Sequence, residues 1–247
     1  MSLLTRKDLL RVSLRLSLLQ STWFEGGMQA IGLSYCLIPG LRVIYPDTSD
    51  LRDAIARYQA PFNTHPFMAG IIAGIVLRME EEKTPPEMIS SFARNSMGLL
   101  AALADPFFKS ALPTFVSVSA CLAAMLGGAV AGIATILIAF NVIHFAVRFV
   151  GVSLGHKEGL EVLKRVAGWL SPARTAQLKR ASAVGSGLVM VVAAMRFGDL
   201  LEKHVWIGIA AAAAGLATAT ALTVWRKSAR WAVPLTLGAV VFVEVVL

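Results

Sequence analysis

The stretch PFNTHPFMAGIIAGIVLRMEEE, residues 61–82, decides how this chain is read. A polar knot of Asn63, Thr64 and His65 stands against Pro66, and an apolar run, broken only by Arg78, then meets Glu80, Glu81 and Glu82. Pro66 suits the first turn of a helix, where its missing N–H would have had no partner. The polar residues before it offer acceptors to the free N–H groups of that turn. The spacing predicts a helix from about Pro66 to a point before Pro85. Its apolar part is shorter than the ~20 residues that cross a bilayer. Ala69/Ala73 and Gly70/Gly74 repeat small residues four apart, a pattern that lets helix backbones approach closely in lipid. A short, tightly packed helix with polar groups at its N-terminus fits a discontinuous membrane helix beside a solute site. An ordinary buried helix with a proline start fits the same local sequence.

Composition favours the membrane. Hydrophobic residues make up 56% of the 247, charged ones 15%, and the mean hydropathy is +0.68; soluble domains carry ~25% charged residues. Residues 110–147 contain no Asp, Glu, Lys or Arg. As one helix they would run about 57 Å at ~1.5 Å per residue, against a hydrocarbon core of ~30 Å. The chain is therefore expected to bend, and Gly127-Gly128 is the place. The formal charge of +8 reads as basic cytoplasmic loops and attraction to anionic headgroups. No basic module with interleaved aromatics supports nucleic-acid binding. Cys36 and Cys121 both lie in apolar surroundings and read as buried small hydrophobes, not as a disulfide or a metal site. No nucleophile–base set, metal cluster or phosphate loop points to an enzyme or a cofactor.

Outward from the central stretch, Thr5 with Asp8 three residues on forms a capping pattern for a helix over 5–24. Lys7, Arg11 and Arg15 make a basic stripe beside a broad leucine face. Such a helix lies in the headgroup plane or docks on a partner. The same charges leave no cleavable signal peptide pattern. An apolar segment, 30–45, is expected to stop at Pro39 and Gly40, and Asp47 to Ser49 offer caps for a short helix over 50–59. Asp105 before Pro106 reads as a turn, at a membrane surface, functionally placed inside, or capping the next helix. Asn141 and His144, one turn apart, read as a polar pair bonding a neighbouring helix, with a metal or proton relay as the other reading. A basic stretch, 148–180, is placed in the cytoplasm. Apolar segments at 181–197, 205–225 and 231–247 follow, the last two joined by a basic link framed by Trp225 and Trp231. That order gives in, out, in, out, with Glu244 near the outer surface. The expected fold is all-α: a polytopic membrane protein with an interfacial helix (1–24), short discontinuous or re-entrant helices (25–109), a hydrophobic hairpin (110–147), a basic cytoplasmic segment (148–180) and C-terminal spans (181–247).

The block Phe62 to Phe67 with Glu80, Glu81 and Glu82 a few turns on resembles the signature of the IID component of mannose/fructose/sorbose-type phosphotransferase system (PTS) sugar permeases. Further matches keep that family's order: Leu19-Gln20 with Trp23, Met28-Gln29-Ala30, residues 51–58, Asp105-Pro106 followed by Pro113, and Phe140-Asn141 with Arg148, Gly151 and Gly155. The chain departs from the family where Gly26-Gly27 replace a Glu-Arg pair, where Leu103-Ala104 replace a glycine-rich turn, at Lys109 and Leu112, and around 198–203, where a polar insert is missing.

The resemblance implies a non-catalytic, multi-pass subunit of the bacterial plasma membrane. It would pair with a membrane subunit IIC, in a higher oligomer of IIC/IID pairs, to carry a hexose inward. Soluble IIA and IIB phosphocarriers would phosphorylate the sugar, with no phosphohistidine in this chain and no cofactor. Asn63, Thr64, His65, Asp105 and Gln29 are then the expected substrate-binding residues, since sugar hydroxyls need donors and acceptors in fixed geometry. Pro66, Gly70, Gly74, Glu80, Glu81 and Pro106 are the expected structural motif. The departures leave open a divergent IID that scaffolds PTS signalling without transporting.

Overall fold

The structure is a computed structural model that describes residues 2–203. The expected segments at 205–225 and 231–247, with Glu244, lie outside the described residues. Two compact units divide at Val189, and the first holds the core and the candidate site. Among the described residues the regular structure is helical, joined by turns and loops, with isolated bridges pairing Phe24 with Met28 and Met28 with Phe62. The helices are α1 (Arg6–Arg15), α2 (Ala30–Ile44), α3 (Thr48–Arg57), α4 (Ala69–Glu81), α5 (Pro86–Asp105), α6 (Leu112–Gly127), α7 (Ala129–Glu158), α8 (Glu161–Trp169) and α9 (Pro172–Lys203).

Helix α1 begins as its sequence dictates: Asp8 N donates to Thr5 Oγ1 and Thr5 N to Asp8 Oδ2, a closed capping box. It stops at Arg15, well short of residue 24, and passes into a single 3₁₀ turn, Leu16–Leu18. Leu9, Val12, Leu16 and Leu19 are buried while Leu10, Leu14 and Leu18 are exposed. The helix thus packs one apolar line and presents another outward, as a surface-lying helix in lipid does. Helix α2 runs through Pro39 instead of ending there. Proline withholds the N–H that the carbonyl four residues earlier, that of Tyr35, would accept. Arg15 Nη1 donates to that carbonyl at 3.0 Å, and its guanidinium lies 4.5 Å from the centre of the Tyr35 ring. A contact twenty residues away in sequence replaces the lost bond.

Asp105-Pro106 is likewise no turn. The backbone continues from Pro86 to Gly127, with Pro106–Ala111 widened into a π-helical turn. A π turn re-spaces the hydrogen bonds and absorbs the missing proline donor without ending the helix. The expected bend does fall at Gly128, whose φ of +86° is a conformation side chains disfavour. Helix α7 then runs on through residue 147 to Glu158. Two stretches, Pro86–Gly127 and Ala129–Glu158, are long and apolar enough to cross a membrane. Their outer faces expose Leu126, Val130, Ile133 and Ile138, side chains that lipid rather than water would cover. Cys121 belongs to this outer set and is exposed, against expectation, while Cys36 is buried.

The centre of the unit is the crossing of α4 on α7. Every residue from Ala69 to Leu77 is buried. A Cβ added at Gly74 would lie 2.2 Å from the Val152 carbonyl oxygen, and one at Gly155 2.4 Å from that of Ile71. Two small-residue pairs, Gly70/Gly74 and Gly151/Gly155, therefore face each other with backbone against backbone. Helix α4 itself starts at Ala69, three residues after Pro66. A turn precedes it, with Met68 N and Ala69 N both donating to the His65 carbonyl and Phe67 N donating to His65 Nδ1 at 3.3 Å.

The acidic end of α4 anchors everything around it. Glu80, 1% exposed, accepts from Tyr58 Oη at 2.6 Å, from Tyr45 Oη at 2.7 Å and from Arg57 through Nη2 and Nε at 2.8 and 3.2 Å. Burial first, then the neighbouring carboxylate, push the Tyr45 hydroxyl up to about 12 and hold that of Tyr58 well above its usual value. Both therefore stay protonated and donate. Glu81 accepts from Ser2 Oγ at 2.9 Å and from the backbone N–H groups of Leu3 and Leu4, and lies 2.8 Å from His156 Nε2.

Alanine at Gly74 or Gly155 forces the α4–α7 backbones apart and should destabilise by about 1–3 kcal/mol, as overpacking does. Gly98, with nothing within 4 Å of an added Cβ, should accept alanine with no loss. Melting temperatures in detergent check the contrast. Glu80→Ala strands Arg57 and two tyrosine hydroxyls and should cost about 3–5 kcal/mol, as breaking buried ion pairs does. Glu80→Gln should lie between that variant and the wild type in the same assay.

Candidate functional site

The loop between α3 and α4 is fastened from both sides. Gln29 Nε2 donates to the Thr64 carbonyl at 2.9 Å, and Thr64 N donates to Gln29 Oε1 at 3.0 Å, so one side-chain amide mimics a strand pair. Gln29 N also donates to the Phe62 carbonyl at 2.8 Å. Thr64 Oγ1 donates to the Met97 carbonyl on α5 at 2.9 Å. The chain reaches Gln29 through Met28, held at φ 55°, and the Phe24 ring covers Gly26 and Gly27, where an added Cβ would fall 3.1 and 2.3 Å from it.

This fastened loop forms one wall of a groove of about 400 Å³. Asn63, Thr64, His65, Pro66 and Phe67 line that wall, with Gln20 and Gln29 behind it. Phe108 and Lys109 enter from the π turn, and Phe140, His144 and Arg148 from α7. Aromatic contacts shape its floor: His65 stacks on Phe108 at 5.1 Å, and His144 stacks on Phe67 at 4.4 Å. Polar groups set over flat rings are the usual furnishing of a small-molecule site.

The five expected binding residues take different places. Asn63 is exposed at the rim. Gln29 and Thr64 line the groove, but their amide and hydroxyl are engaged with backbone, so their chemistry holds the loop. His65 is buried, and its Nδ1 accepts from Phe67 N. Burial, with a smaller upward pull from Asp105 and a push down from Lys109, lowers its pKa to about 4. A neutral His65 with Nδ1 occupied carries its proton on Nε2. Asp105 accepts from Lys109 Nζ at 2.9 Å through Oδ2, while its Oδ1 is buried with no partner among the described residues. Two further buried atoms are unpaired in the same way, His144 Nε2 and Arg148 Nε. Asn141 Nδ2 turns back to the Leu137 carbonyl of its own helix at 2.7 Å and bonds no neighbour among the described residues.

The residues that sequence reasoning did not place in the site are Phe67, Phe108, Phe140, His144, Arg148, Lys109 and Gln20. One signal was available for three of them. Phe140, His144 and Arg148 recur every four residues along α7, which aligns them on one face.

The model of the PTS mannose/fructose/sorbose family IID component matches residues 3–201. The chain belongs to this family. It is 34% identical over 172 residues to the mannose-specific EIID component of Escherichia coli, a match covering 67% of this chain and 60% of that protein. The fructose permease IID component of Bacillus subtilis is 30% identical, at 67% and 62% coverage. The matched region thus spans about 60% of these relatives' length. A cryo-EM structure of the mannose transporter ManYZ in complex with a microcin superposes with a TM-score of 0.60 at 30% identity, covering 78% of this chain and 71% of that one. A second solved membrane protein gives 0.62 at 28% identity, covering 77% and 70%. With these likenesses, its two span-length helices and no strand among the described residues, the IID chain is an all-α membrane protein.

The lowered pKa of His65 has a signed consequence. Its folded value, about 4, lies below the ordinary 6.5, so the unfolded chain binds the extra proton first as pH falls. The stability that neutral His65 contributes is whole above pH 6.5 and is lost progressively as pH falls towards 4. His65→Gln should flatten that part of the acid limb in a melting-temperature profile, leaving values above about pH 7 parallel to wild type.

Proposed function

We propose that this chain is the IID membrane subunit of a mannose-family PTS permease, and that with IIC it forms the pathway for hexose uptake coupled to phosphorylation by IIA and IIB. On this reading it is a multi-pass protein of the bacterial plasma membrane and performs no catalytic step itself. The groove takes part in holding the sugar.

The observation that carries the reading is the mixture of unpaired buried atoms around that groove. His144 Nε2, which lines the groove, can donate or accept, and Asp105 Oδ1, an acceptor, lies beside the groove next to Lys109. A hydroxyl donates one hydrogen bond and accepts others, so a polyol can serve acceptor and donor together where an anion or a cation could serve only one kind. The flat faces of Phe67, Phe108 and Phe140 suit the apolar C–H face of a pyranose. Asn63 offers a free amide at the rim, and neutral His65 offers Nε2–H. Gln29 and Thr64 act one step back, by fixing the loop from which Asn63 and His65 project.

Uptake of labelled hexose by cells expressing the IIC/IID pair tests the assignment. Asn63→Ala and Asp105→Ala should each lower uptake by at least ten-fold while the pair still assembles. Wild-type rates in both variants would remove the groove from the pathway.

A further inference from the structure

Arg148 lies on the inner face of α7, 8% exposed, and lines the groove. It makes no ion pair or hydrogen bond among the described residues, and its Nε is buried without a partner. The buried carboxylates of the unit are matched within the chain, Asp8 by Thr5 and Glu80 by Arg57, and the partly buried Glu81 is matched by the first residues of the chain. An ion taken out of water is normally paired, so a guanidinium solitary among the described residues marks a place where a counter-charge from beyond them is called for. Asp105 does not supply it, being held by Lys109. A hexose can accept a hydrogen bond from Arg148 but carries no charge to offset it.

We propose that a carboxylate side chain of the companion membrane subunit enters this groove past Lys109 and forms a bidentate pair with Arg148. The inference rests on the pairing with IIC proposed above. Arg148 and Lys109 are cations, which an acceptor-only group matches. The planar guanidinium fork fits a carboxylate through two parallel bonds. A phospholipid is the poorer occupant. Val142 and Val150, which face outward, lie away from Arg148 around the helix. The polar wall of Asn63, Thr64 and His65 would also be stripped of water against acyl chains at a cost. The pair would lock the companion against the wall that carries the sugar-binding residues and complete the site from the other side.

The test is recovery of the companion with a tagged chain from membranes solubilised in mild detergent. Arg148→Met should lower recovery at least ten-fold, Arg148→Lys should keep most of it, and Arg148→Glu should lose it. A lysine in place of one acidic residue of the companion should restore the Arg148→Glu complex. The Arg148→Met chain alone should melt with the wild type, because the charge it loses is unpaired among the described residues. Unchanged recovery with Arg148→Met would overturn the proposal. So would a lowered melting temperature for that variant alone, which would place the counter-charge inside this chain. Recovery that depends on added phosphatidylglycerol would assign the groove to a lipid phosphate and overturn it too. A wild-type chain that recovers no companion would overturn the pairing itself. Sugar uptake is not read here, so the transport reading stands or falls separately.

Discussion

Backbone contact between α4 and α7 is the constraint on which the remaining geometry depends. In lipid there is no hydrophobic gain from pressing two apolar helices together, so association depends on close packing and on polar contacts. Gly70, Gly74, Gly151 and Gly155 remove the side chains that would hold the two axes apart. The approach brings His144 on α7 over Phe67 at the foot of α4 and sets Arg148 in the wall of the groove. A wider spacing would open the groove and dissolve the stacked floor. The hairpin of α6 and α7 uses the same device, with Gly132 placed so that a Cβ would fall 2.7 Å from that of Ala124.

Three successive acids at the far end of α4 divide the work of holding this geometry. Glu80 gathers α2 and α3 through Tyr45, Arg57 and Tyr58. Glu81 gathers the first residues of the chain and His156. Glu82 accepts from Arg78 Nε at 2.7 Å, while Arg78 Nη1 donates to the Lys157 carbonyl at the end of α7, also at 2.7 Å. A helix too short to cross a bilayer is fixed instead by ion pairs at one end and by the Gln29–Thr64 clamp before the other. Neighbouring carboxylates in one run thus serve different partners because successive helical residues point about 100° apart.

Features whose cause is local were legible in the sequence. The Thr5–Asp8 box, the Asp47 cap, the break at Gly128 and the close-packing spacing of Gly70 and Gly74 each need only a few consecutive residues, and each appears as expected. Features whose cause is distant were not. Pro39 stays helical because Arg15 supplies a donor from another helix, and Pro106 because a π turn absorbs it. Gln29 and Thr64 carry hydrogen-bonding chemistry that suits a ligand, yet tertiary contact commits it to backbone. The groove was half legible: the loop from Asn63 to Pro66 stood out by its residues, while His144 and Arg148 showed only a four-residue spacing, and the crossing decides that this face turns inward. Cys121 was misplaced because an apolar setting means burial in water but an outward face in lipid.

The most direct measurement of the central claim is a disulfide across the crossing, made in native membranes. A Cβ at Gly151 would lie 3.3 Å from Ile71 Cγ1, the place a cysteine sulfur at 71 can take, close to the roughly 3 Å that disulfide geometry sets between one Cβ and the far sulfur. With Cys36 and Cys121 replaced by alanine, Ile71→Cys combined with Gly151→Cys should join completely on mild oxidation, seen as fragments held together after cleavage between the two positions. If both thiols remain open to alkylation after oxidation, α4 does not lie against α7 in the membrane, and the groove built on that contact does not exist.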